Sequence, residues 1–91
     1  MSRYQLVEYV DVVENEDGTF GITEVAETGF FIEIDNKTAL KDVCKELKNR
    51  GVLPSVDMRK ISVSDLDSDI IEFKLKKEKK PICRLVKRKY I

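Results

Sequence analysis

The chain has 91 residues, 17 basic and 17 acidic side chains, and no histidine. A chain of this length supports one hydrophobic core that buries roughly two-thirds of the unfolded surface, and the missing histidine removes imidazole base catalysis and histidine-ligated metal. The net charge of zero hides a segregation, because residues 1–35 sum to −8, residues 36–73 to 0 and residues 74–91 to +8.

Tyr4 to Val13 places Tyr4, Leu6, Val10 and Val12 on one face and Val7, Tyr9 and Val13 on the other, which predicts a strand buried on both sides. Glu14-Asn15-Glu16-Asp17-Gly18 then interrupts with turn-forming types, and Thr19 to Ala26 returns as a second strand. Thr28-Gly29 predicts another turn, followed by a third strand in which Phe30, Ile32 and Ile34 alternate with Phe31 and Glu33. Residues 3–34 are therefore expected to form an acidic β-meander.

A helix is expected over 37–50, where Leu40, Val43, Cys44 and Leu47 share one apolar stripe. Asp35 or Asn36 is the predicted cap, Lys48 and Arg50 oppose the negative end of the helix dipole, and Gly51 supplies a left-handed stop. Pro54 forbids continuation. Met58 to Ser64 and Ile71 to Leu75 alternate as two one-sided strands, and Lys77 to Lys80 form a charged turn. Ile82 to Tyr90 is read as a last strand that completes a basic β-hairpin over 58–90. The alternative is a helix with Ile82, Leu85, Val86 and Tyr90 on one side, entered through Pro81. The expected fold is a single α+β domain over 1–91, a predominantly antiparallel sheet of five to six strands in the order β-β-β-α-β-β-β with one helix packed on one face. Its expected core is Leu6, Val10, Val12, Phe20, Ile22, Phe30, Ile32, Ile34, Leu40, Val43, Leu47, Ile61, Val63, Ile71, Phe73 and Leu75.

Few chemistries fit these residues. The glycines, Gly18, Gly21, Gly29 and Gly51, form no phosphate-wrapping loop. Asp65, Asp67 and Asp69 have the spacing that opens a calcium loop, but Ile70 stands where the bend needs glycine and Lys76 where a bidentate glutamate should close the site, so no metal is expected. No cofactor is expected either, and the chain is read as non-enzymatic. Cys44 and Cys83 lack a CxxC partner, which suits a reducing compartment. No apolar run reaches the roughly 20 residues that span a bilayer, and Met1 to Val10 lacks the pattern of a signal peptide. A cytoplasmic protein without membrane association is expected.

Charge carries the functional expectation. Glu8, Asp11, Glu14, Glu16, Asp17, Glu24 and Glu27 lie on the meander, where carboxylates spaced along strands can oppose a basic groove much as phosphates do. The leading expectation is a small accessory or phage-type inhibitor or adaptor that docks on another protein through these residues. The alternative is a nucleic-acid-binding module using Lys76, Lys77, Lys79, Lys80, Arg84, Lys87, Arg88 and Lys89. One helix about 10–12 Å wide cannot cover a sheet roughly 25 Å wide. Val7, Tyr9, Val13, Phe31 and Ile70, pointing away from the helix, are therefore expected to meet a second copy in a homodimer or to be covered by curling of the chain.

Overall fold

The chain opens with a long hairpin, β1 (Ser2–Glu14) and β2 (Phe20–Ile34). The structure is a computed structural model that describes residues 2–66 and 68–89. Asp67 and Tyr90, named above in the acidic loop and the last strand, lie outside the described residues. The hairpin tip closes through Gly18, whose φ of 86° is a left-handed conformation suited to glycine. The Gly18 N–H donates to the Asn15 carbonyl at 3.0 Å, and the Asn15 N–H to the Thr19 carbonyl at 2.7 Å.

The expected turn at Thr28-Gly29 is absent, and the second and third expected strands are one 15-residue strand with a bulge. Register passes from Gln5 opposite Phe31 to Val7 opposite Glu27, so β2 spends two extra residues there. Side chains make this tolerable by satisfying the backbone groups that the ladder leaves over. The Thr28 hydroxyl donates to the Leu6 carbonyl at 2.8 Å and accepts the Phe30 N–H at 3.2 Å, while Gln5 Nε2 donates to the Thr28 carbonyl at 2.8 Å. The same residue types that favour a turn therefore produce a bend within a strand. The meander becomes a hairpin.

Helix α1 (Leu40–Asn49) starts later than expected. Asp35 does not cap it. Its Oδ1 accepts the Lys37 N–H at 2.8 Å and the Thr38 hydroxyl at 3.1 Å, so the carboxylate closes a turn ahead of the helix. The Lys37 N–H and then the Thr38 hydroxyl hold the Asp35 carboxyl below the usual range. Ala39 occupies the N-cap position without a side-chain bond. The other end follows the sequence. Gly51 has φ 85°, its N–H donates to the Lys48 carbonyl at 2.9 Å, and the Val52 N–H donates to the Leu47 carbonyl at 2.9 Å. That pair of bonds is a Schellman motif, and it turns Leu53 into the core at 3% exposure.

The remaining strands are β3 (Ile61–Val63), β4 (Ile70–Leu75) and β5 (Pro81–Arg88). All pairings are antiparallel and the sheet order is β2-β1-β5-β4-β3, so the element order is β-β-α-β-β-β with five strands. The segment after Pro81 is a strand and not a helix. It lies between β1 and β4, with Leu85 opposite both Leu6 and Ile71. A strand hydrogen-bonded on both edges and covered on both faces needs apolar residues on each face, which is why its pattern resembles neither a clean alternation nor a clean stripe.

Tyr4, Leu6, Ile34, Ile61, Ile71, Phe73, Cys83 and Leu85 meet Val43, Cys44, Leu47 and Leu53 in one buried cluster. Of the expected core, Phe30, Ile32, Leu40, Val63 and Leu75 are partly buried and pack against this cluster, and four other members neither belong to it nor pack against it. Val10 is 57% exposed, and Val12, Phe20 and Ile22 are only partly buried, because all four belong to the part of the hairpin that runs past the helix-covered sheet. Among the described residues no helix is long and apolar enough to cross a membrane.

Candidate functional site

The pairing of β1 with β5 ends at Glu8 opposite Cys83, whereas the pairing of β1 with β2 continues to Glu14 opposite Phe20. From Tyr9 and Val25 outward, the hairpin is thus a two-stranded arm. It explains a Cα radius of gyration of 13.0 Å and a long axis of 41 Å, against about 12 Å expected for a compact chain of this length. Two irregularities twist it, one where Tyr9 pairs with Val25 but Asp11 with Glu24, the other where Val12 then pairs with Ile22. The Thr23 hydroxyl donates to the Asp11 carboxylate at 2.5 Å, which fixes the second.

The arm collects most of the acidic residues proposed from sequence. Asp11, Glu14, Glu16, Asp17 and Glu24 are all exposed on it, and no lysine or arginine occurs between Arg3 and Lys37. Asp17 accepts both the Thr19 hydroxyl at 2.6 Å and the Thr19 N–H at 3.0 Å, which hold its carboxyl below the usual range. Among the described residues the ion pairs are Arg59–Asp57 and Arg88–Glu27, so none engages an arm carboxylate. Glu8 and Glu27 stand apart from the arm. Glu8 is exposed opposite Cys83, and Glu27 is tied at 2.9 Å to Arg88. Three exposed valines accompany the carboxylates, Val10, Val13 at 41% and Val25 at 45%.

The basic residues do not form one surface. Lys76, Lys77, Lys79 and Lys80 are exposed in the β4–β5 turn. Arg84 and Arg88 project from the face opposite the helix, Lys87 from the helix side, and Lys89 follows the strand. The turn lysines share an end of the sheet with the acidic tip, since Gly18, Thr19 and Phe20 flank one side of a 250 Å³ cleft and Lys74, Lys79 and Pro81 the other. The two charge poles of the sequence are neighbours in space.

Arginines roof the sheet face that the helix leaves open. Arg84 lies over the Tyr9 ring, 5.2 Å from its centre, and its Nε donates to the phenol oxygen at 3.2 Å. Burial pushes the Tyr9 phenol up, and the Arg84 hydrogen bond opposes it. Arg3 covers Phe31 at 5.1 Å, and Arg88 Nε donates to Gln5 Oε1 at 2.9 Å. Beneath them Val7 is 4% exposed. Stacked guanidinium groups cover apolar area while keeping contact with water. Of the five residues named for a self-association face, Val7 is thus buried within the chain, Tyr9 and Phe31 lie under arginines, Val13 is on the arm, and Ile70, 44% exposed, is at the start of β4. The alternation of β5 carries the one available signal of this roof, since residues 84, 86 and 88 share a face of any strand.

Among the described residues no three histidine, cysteine, aspartate or glutamate side chains gather as a metal site. Cys83 is buried, its thiol pushed up to about 12 by burial first and then by the Glu8 charge, and burial also raises Cys44. Such thiols are not nucleophiles at neutral pH. Because the folded value lies above the ordinary one, burial of the Cys83 thiol stabilises the fold fully below about pH 8.5, and that contribution is lost as pH rises toward 12. Native protein at pH 8 is expected to react with a maleimide only on the timescale of unfolding, and Cys83→Ala should flatten the fall in stability between pH 9 and 12. Rapid labelling of both thiols in the native state would contradict this.

Comparison with known proteins leaves the site to be read from its own geometry: no family model, no curated protein and no solved structure matches the chain.

Proposed function

We propose that the protein is a non-enzymatic binding protein, an inhibitor or adaptor that docks on a basic surface of another protein through the acidic β1–β2 arm. The supporting observation is that Glu14, Glu16 and Glu24 are exposed, have no partner among the described residues, and sit on an arm that contributes nothing to the buried cluster. Carboxylates kept unpaired on a projecting hairpin raise the rate of encounter with a cationic partner and set its orientation. A fold has no need of such a projection. Glu27 and Arg88, by contrast, are mutually satisfied and act within the sheet.

The test is capture from host lysate with identification of what is retained. The wild-type chain is expected to hold a basic partner at low salt, and the triple variant Glu14→Lys, Glu16→Lys, Asp17→Lys to lose it at least tenfold. Retention by the reversed arm would overturn the proposal. Titration with labelled duplex separates the nucleic-acid reading, since a phosphate binder loses affinity with a log–log salt slope near −0.9 per neutralised phosphate. Binding that survives arm reversal and disappears with Lys76, Lys77, Lys79 and Lys80 all changed to alanine would assign the lysine turn instead.

A further inference from the structure

Where β1 leaves β5, the two strands splay and a cleft of about 470 Å³ opens between them. One wall is the arm, Tyr9 to Val12. The other is Pro54, Leu75 and Lys80 to Ile82. The cause is local. Pro81 has no N–H to donate, the β4–β5 register slips between Phe73 and Lys74, and the β1–β2 register slips between Tyr9 and Asp11. If the β1–β5 ladder continued, Val10 would face Pro81, but the pairing stops at Glu8 opposite Cys83. The β5-facing edge of the arm therefore has no strand beside it. Unpaired edges are usually guarded by a lysine, a proline or an inward-pointing charge. Along Val10-Asp11-Val12-Val13 no lysine or proline does so; two bulges twist this edge, yet they leave Val10 57% exposed on it.

We infer that this cleft accepts an extended segment of the partner, which adds a strand along Val10–Val12 and seats an apolar side chain against Pro54, Leu75 and Ile82. The inference rests on the proposed docking role of the arm and names what the arm holds. Strand addition supplies affinity through main-chain hydrogen bonds and specificity through alternate side chains. Charge decides the occupant. Lys80 is the one cation in the facing wall, whereas Asp11 lies in the arm wall and Glu14, Glu16, Asp17 and Glu24 continue along the arm that the added strand would follow, so the residues that alternate with the seated side chain are basic. A second copy pairing arm to arm would set these carboxylates against one another, and like charges directly opposite across strands destabilise pairing. The segment is thus a basic and apolar alternating stretch of a different protein.

The test uses the full chain and a labelled peptide of about eight residues, a common strand length, in which valine alternates with lysine. Anisotropy is expected to show saturable binding, with amide chemical shifts changing at Val10 to Val12 and Lys80 to Ile82. Val10→Asp is the decisive variant, because it removes the apolar lip while making the arm more acidic. Seating in the cleft predicts at least a tenfold loss of affinity, whereas charge attraction alone predicts equal or tighter binding. Pro54→Arg, on the opposite wall and away from the arm, is expected to weaken binding similarly. A peptide N-methylated at every second residue, in either frame, tests the main-chain component and should bind more weakly in one frame. Undiminished binding by Val10→Asp, no peptide binding by the wild type, or self-association of the wild type that Val10→Asp abolishes would overturn the inference. Lysate capture that is lost on arm reversal but unaffected by Val10→Asp would overturn the cleft alone and leave the docking role standing.

Discussion

Replacing residues 10–24 by Asn-Gly, so that Tyr9 and Val25 are joined by a two-residue turn, is expected to leave the sheet folded and to abolish partner capture. Tyr9 and Val25 already face each other, and Asn-Gly readily adopts the twisted turn that a two-residue hairpin requires. No residue of the excised segment belongs to the buried cluster or to the apolar side chains packed against it. A two-stranded ribbon is marginal in water without a covered face, so the arm adds little to the stability of what lies beneath it. The expected fall in Tm is below about 8 °C, corresponding to about 1 kcal/mol for a domain of this size. Capture of the partner should drop by more than about a hundredfold, a loss of roughly 3 kcal/mol. Circular dichroism and the lysate assay read the two effects separately. Unfolding of the shortened chain would make the arm part of the folding unit, and a folded chain that still captures its partner would sink the docking proposal.

Phe73→Ala is expected to have the largest effect on stability of any single substitution in the chain. Phe73 is fully buried on β4, opposite Val63 on one side and Cys83 on the other, and it belongs to the cluster that the helix covers. Truncating a phenylalanine in such a site removes its transfer free energy and leaves a cavity, at a cost of about 3–5 kcal/mol. Total stability for a chain of this length is about 5–14 kcal/mol. The variant is expected to lose much of that margin, visible as a lower urea midpoint with an unchanged slope. Val13→Ala, at a 41% exposed position on the arm, should change stability by less than about 1 kcal/mol. A cost below about 1.5 kcal/mol at Phe73 would mean that the helix does not seal the sheet there.

The turn between β2 and α1 and the far end of α1 differ in legibility. The helix stripe, its glycine stop and the return of Leu53 could be read directly, because each depends on residues within one or two turns of one another. The start of the helix could not. Asp35 has the composition of a cap, but an aspartate can bond its own following backbone just as well, and here Lys37 and Thr38 take the carboxylate first. Thr28-Gly29 shows the same ambiguity. Only the Leu6 carbonyl and the Gln5 amide, more than 20 positions away, decide that those residues bend a strand and do not reverse it. The acidic arm residues were legible as a set, since exposure of carboxylates follows from their hydration. That Glu27 is ion-paired on the sheet was not legible, because its partner Arg88 lies 61 positions along the chain.

Local pattern and composition suffice for the α+β mixture of one helix among strands, the helix stripe and its C-terminal stop, the lack of imidazole side chains, and the segregation of −8 from +8. Every property that depends on a distant partner comes instead from how the strands pair. β5 lies between β1 and β4, so Arg84 and Arg88 reach Tyr9, Gln5 and Glu27 and roof the open face that composition alone would leave uncovered. The end of β5 at Pro81 frees the arm and opens the cleft. The physical reason is that local pattern specifies which face of an element is apolar, whereas what covers that face, and where a strand stops having a neighbour, is set by pairings between residues far apart in the chain.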